Sequence, residues 1–101
     1  MSVEKNIKES FKRTGIKEFD VIKERIYPYY VIQFYCRLNC EELDKISQWI
    51  KSNFSREGYY SHLVYAKLGM RDGYMSLVID GNEAEMLFTN DKRIKLPLNF
   101  K

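Results

Sequence analysis

Two cysteines, two prolines, one histidine and one tryptophan leave this sequence short of the residues that most often announce a chemistry. Cys36 and Cys40 form a single C-x3-C pair, half of a four-ligand zinc set and too few thiols for a disulfide framework. Cys36 reads as a small core residue and Cys40 as a first-turn residue of a helix. His62 has no carboxylate or cysteine at motif spacing, so it reads as structural, and no nucleophile-base pair assembles around it. The two glycines of Gly69-Met-Arg-Asp-Gly73 lack the Lys-Ser/Thr of a phosphate loop and read as a turn. No cofactor or metal is expected, and the chain reads as not an enzyme.

Long apolar runs are missing too. None approaches the ~20 residues of a membrane span, and the N-terminus lacks the apolar core of a signal peptide. The expectation is a cytoplasmic protein without a membrane partner. No Pro/Gly/Ser-rich linker divides the chain, so residues 1–101 read as a single domain. The net charge of +3 is spread along the chain and not gathered into a basic tail or patch.

What the chain does have is a repeated pattern. Val3, Ile7, Lys8, Phe11, Arg13 and Gly15 recur as Ile46, Ile50, Lys51, Phe54, Arg56 and Gly58, each 43 positions later. The apolar members follow helical spacing, and a Gly after the last turn supplies a left-handed cap. Ser2 is the expected cap of the first helix, residues 3–14. Asn39 and Glu42 form the expected capping box of the second, with Leu43, Ile46, Ile50 and Phe54 as its apolar stripe and Trp49 at the margin.

Strand-like runs follow each glycine: 19–26 and 30–38 in the first half, 59–68 and 74–79 in the second. The fold class expected is α+β, tandem αββ units with internal repeats at 3–38 and 42–80, and two helices on one face of an antiparallel sheet. A C-terminal strand extension, residues 81–101, completes the expectation. Asp80-Gly81-Asn82 reads as a tight hairpin into a fifth strand with Ala84, Met86 and Phe88 inward and Glu83 and Glu85 outward. The segment from Lys92 to Lys101, interrupted by Pro97, reads as an edge strand or packed tail.

Strand parity places Tyr30, Ile32, Phe34, Cys36, Leu38, Met75, Leu77 and Ile79 toward the core. The opposite face shows Tyr29, Val31, Gln33, Tyr35, Arg37, Tyr65, Lys67, Tyr74 and Val78. Tyr and Arg combine large contact area with a polar tip, so Tyr29, Gln33, Tyr35, Arg37, Tyr65, Lys67 and Tyr74 are the candidate binding residues. A protein or peptide partner is expected there or in the groove between the repeats. The alternative is a nucleic acid stacked on the same tyrosines, and a homodimer through this face or the last strand is a further expectation.

The αββαββ order resembles that of the LAGLIDADG homing endonucleases, whose sheet forms a saddle on DNA. The helix ends here are Phe11-Lys-Arg-Thr-Gly15 and Phe54-Ser-Arg-Glu-Gly58. The metal-binding acid of that family is absent from the first, so the resemblance implies the layout without the nuclease. In its short duplicated layout and its Tyr-, Ile- and Lys-rich, Gln-poor composition, the chain is also similar to the small proteins of archaeal filamentous viruses. That resemblance implies an interaction role in the host cytoplasm.

Overall fold

The computed structural model describes residues 2–54 and 66–89. In chain order they form α1 (Val3–Phe11) with a 3-10 turn (Lys12–Thr14), β1 (Phe19–Lys23), β2 (Tyr29–Phe34) and α2 (Cys40–Phe54). Then come β3 (Ala66–Arg71), β4 (Tyr74–Asp80) and α3 (Gly81–Phe88). Among the described residues the fold is α+β, with three helices and one antiparallel sheet in the order β1-β2-β4-β3.

Local chemistry sets the helix ends as expected for α1 and α2. Ser2 Oγ accepts from Lys5 N at 3.0 Å. Asn39 and Glu42 exchange reciprocal bonds of 2.9 and 2.8 Å, which satisfies two orphan amides at the start of α2. Gly15, at φ +88, closes the turn after α1 in the left-handed region.

One core gathers the inward side chains. Ile7 and Phe11 of α1, Ile46 and Phe54 of α2, and Tyr30, Ile32, Phe34, Leu77 and Ile79 of the central strands belong to one buried cluster. Phe11 is its aromatic centre: its ring meets Phe19 at 5.0 Å, Trp49 at 5.0 Å and Phe34 at 5.7 Å. Trp49 is therefore buried and not marginal, its ring stacked on Phe88 at 6.1 Å and its Nε1 donating to Ser10 Oγ at 3.0 Å.

The expected fifth strand is wrong over residues 81–88, which form α3. Asp80 does not open a hairpin. Its carboxylate caps the helix, accepting from Glu83 N at 2.9 Å. Ala84, Leu87 and Phe88 then recur at helical spacing, with Ala84 and Phe88 in the core. Glu83 is accordingly buried and not solvated, and Glu85 accepts from Tyr30 Oη at 2.9 Å. The rest of the expected C-terminal extension, 90–101, lies outside the described residues.

Strand ends also shift. β1 stops at Lys23, because residues 24–28 make the connection, and β2 stops at Phe34, leaving Cys36 and Leu38 half-buried beyond it. The β3–β4 connection is only Asp72-Gly73, with φ +53 and +84, and Gly69 lies within the strand. Two successive positive φ values give the hairpin turn whose twist suits antiparallel strands, and Asp-Gly is its usual sequence. His62 and residues 59–65 of the expected third strand lie outside the described residues.

Candidate functional site

The sheet face carrying Tyr29, Val31, Gln33, Ser76 and Val78 is opposite in parity to the core residues, yet its centre is closed. Val31, Gln33 and Ser76 are 2–3% exposed. Gln33 pairs with Ser76, which pairs with Gly69, and these small neighbours leave room for the Gln33 amide to cross the sheet. Its Nε2 donates to the carbonyls of Phe34 at 3.2 Å and Arg71 at 3.1 Å. Gln33 is thus a buried bridging residue and not part of an open surface.

The tyrosines fall into two separate groups. Tyr35 and Tyr74 meet edge to face at 6.1 Å, beside Arg71, which pairs with Tyr74 in the ladder. Tyr29 lies at the other end of the face, opposite Asp80, with its ring 6.2 Å from Tyr27. All three residues are 40–48% exposed. Lys67 is exposed opposite Val78, and Arg37 is exposed in the connection after β2. Tyr65 lies outside the described residues. The structure therefore brings Tyr35 and Tyr74 together and leaves Tyr29 apart.

Next to Tyr29, a cleft of about 340 Å³ is lined by the 24–28 connection, Lys23, Tyr30 and Glu85. Burial, the hydrogen bond to Glu85 and the charges of Glu85 and Glu4 push the Tyr30 hydroxyl up to about 12. Lys23 Nζ lies 3.9 Å from the same Glu85 carboxylate. The group is self-satisfied, which suits a structural tie between β2 and α3.

A larger cleft, about 480 Å³, runs between α1 and α2. Ser10, Arg13 and Thr14 line one side, and Lys45, Gln48, Trp49, Ser52 and Asn53 the other. The sequence led to the expectation of a groove between the repeats but assigned none of these residues to it, because Arg13 read as a helix-end charge and Trp49 as the margin of an apolar stripe. The usable signal was the polar stripe Lys45, Gln48 and Ser52 at helical spacing beside the apolar one. Trp49 O accepts from Asn53 Nδ2 at 2.8 Å, and Thr14 Oγ1 donates to Phe11 O at 2.8 Å. Backbone and side chain thus fix both walls.

Burial, with the Glu18 and Glu42 carboxylates behind it, raises the Cys36 thiol above its ordinary range, and Cys40 is exposed at the first residue of α2. Among the described residues no group of three His, Cys, Asp or Glu side chains is placed to hold a metal ion, and no helix is long and apolar enough to cross a membrane.

Fold and clefts together define an α+β chain with a polar cleft between two of its helices. No protein-family model, curated protein or solved structure matches it.

Proposed function

We propose that this chain is a non-enzymatic interaction module that holds a peptide segment of a protein partner in the cleft between α1 and α2. The observation that carries this reading is the make-up of the cleft. Its walls present hydroxyls, amides and the cations of Arg13 and Lys45 above the buried Trp49, the polar anchors that an extended segment needs.

A repeated αββ unit fits this reading, because the cleft then lies on the seam between the two copies. Shifting β1 by 47 positions and β2 by 45 preserves the pairing: Phe19 opposite Phe34 becomes Ala66 opposite Ile79, and Val21 opposite Ile32 becomes Leu68 opposite Leu77. Ile32 and Leu77, equivalent under the shift, face each other, which supports a pseudo-twofold axis through that pair. Tyr29 and Tyr74 are equivalent too, which accounts for their positions at opposite ends of the face. Tyrosines so divided make a poorer stacking platform for nucleic acid, so the cleft is the favoured surface.

Selection from a displayed random peptide library tests the reading, with Trp49, the sole tryptophan, as reporter. Selected peptides are expected to shift its emission and to lose binding when Ser52→Tyr fills the cleft. Binders indifferent to Ser52→Tyr but lost on Tyr35→Ala with Tyr74→Ala would move the site to the sheet face.

A further inference from the structure

We infer that the segment held in the α1–α2 cleft is acidic, with its carboxylates meeting Arg13 and Lys45. The inference rests on the peptide reading and adds the chemistry of the ligand. Among the described residues, two cations line the cleft and no carboxylate does.

Three acids near them in the chain are bonded to residues other than Arg13 and Lys45, Asp44 among them through the cleft-lining Gln48. Glu9 pairs with Lys12 at 3.4 Å, Asp20 with Lys8 at 3.5 Å, and Asp44 accepts from Gln48 Nε2 at 2.9 Å. No ion pair joins Arg13 or Lys45 to any acid among the described residues. Lys45 Nζ lies near the end of the first helical segment, 3.9 Å from where a Cβ on Gly15 would stand. It thus lies close to the backbone that follows Arg13.

Supporting donors surround the cations. Ser10 Oγ accepts from Trp49 Nε1, which leaves its own hydrogen free to donate. Arg13 offers a planar fork matched to a carboxylate and Lys45 a mobile point charge. A volume of about 480 Å³ exceeds what a single oxyanion fills, so the complement is a stretch of chain carrying acids and not a free ion.

The test titrates Trp49 emission with a Glu-rich decapeptide, its Gln-for-Glu counterpart, a Lys-rich counterpart and a single-stranded oligonucleotide. The Glu peptide is expected to bind about tenfold more tightly than the Gln peptide, and to weaken as added salt shortens the Debye length to about 10 Å or less. Arg13→Gln with Lys45→Gln, both exposed positions, should remove that advantage while leaving the circular dichroism unchanged, and Lys45→Arg should retain it.

Equal affinity for Glu and Gln peptides overturns the inference. So does an unchanged Glu affinity in the double variant, or tighter binding of the oligonucleotide. If Ser52→Tyr still blocks both peptides in those cases, the cleft reading stands without its acidic ligand. If no peptide shifts Trp49, both fall.

Discussion

Arg71 Nη1 lies 3.1 Å from Glu24 Oε2, and the two residues belong to opposite edges of the sheet. Arg71 ends β3, and Glu24 directly follows β1. Strands spaced about 4.8 Å apart put those edges roughly 14 Å from each other in a flat sheet, before any offset along the strands. The register adds a large offset, because Glu24 bonds to Tyr29, which faces Asp80, while Arg71 pairs with Tyr74 six residues away along β4, so the two side chains meet only because the sheet twists and bends.

That pair should be coupled beyond the worth of an exposed ion pair, because Arg71 Nη1 is itself buried. Glu24→Ala is expected to cost about 1 kcal/mol, because the guanidinium left behind is 36% exposed although its Nη1 is covered. Adding Arg71→Met should recover part of that loss, so urea midpoints of the four proteins should give a coupling energy of about 1 kcal/mol. Strict additivity would mean that the bend does not depend on the pair.

Gly81 is required for close approach. A Cβ there would stand 2.3 Å from Pro28 O, the carbonyl that accepts from Gly81 N at 2.7 Å. Gly81→Ala must push the 24–28 connection away from α3, with an expected loss of about 2–4 kcal/mol. Gly73→Ala differs: φ is +84 but nothing lies within 4 Å of the added carbon, so strain of about 1 kcal/mol is the whole cost. Thermal melts of the two variants should rank in that order.

Tyr30 makes stability depend on alkaline pH. Its hydroxyl titrates at about 12 in the folded chain against about 10 when unfolded, so the native state holds the proton across that interval. Its contribution is complete below pH ~10 and is lost as pH rises through ~12, by about 3 kcal/mol in all. Tyr30→Phe should flatten this part of the stability profile, measured as the difference from wild type so that the other tyrosines cancel. Parallel profiles would exclude the linkage.

The Trp49 to Ser10 bond ties α2 to α1. Ser10→Ala leaves the indole Nε1 without its acceptor and is expected to cost about 1–2 kcal/mol. Trp49→Phe removes the donor and part of the aromatic packing, and the double variant should fall short of the sum of the singles. Denaturation followed by circular dichroism reads all three.

The parts legible in the sequence were those governed by neighbours along the chain. Asn39 with Glu42 and Ser2 with Lys5 are capping pairs within one turn, and the stripe through Ile7 and Phe11 needs only helical spacing to be seen. Asp80 to Phe88 misled because alternation of Ala84, Met86 and Phe88 fits a strand, while Ala84, Leu87 and Phe88 fit a helix. The decisive sign was the Asp-x-x-Glu start, which caps a helix as readily as Asp-Gly turns a hairpin. The candidate tyrosines were assigned to the outward face by parity, but parity is blind to distance along the face, so Tyr29 and the Tyr35–Tyr74 pair looked like one surface.

By itself the sequence determined an α+β chain with two capped helices and inward-facing Ile32, Phe34, Leu77 and Ile79, because hydrophobic periodicity and capping act over a few residues. Only the tertiary structure decided what stands between those elements. It buried Gln33 beneath a bent sheet, brought Arg71 to Glu24, placed Pro28 against Gly81 and left Arg13 and Lys45 lining one cleft. Such relations depend on strand order, sheet curvature and helix packing, which arise from contacts between residues distant in the chain.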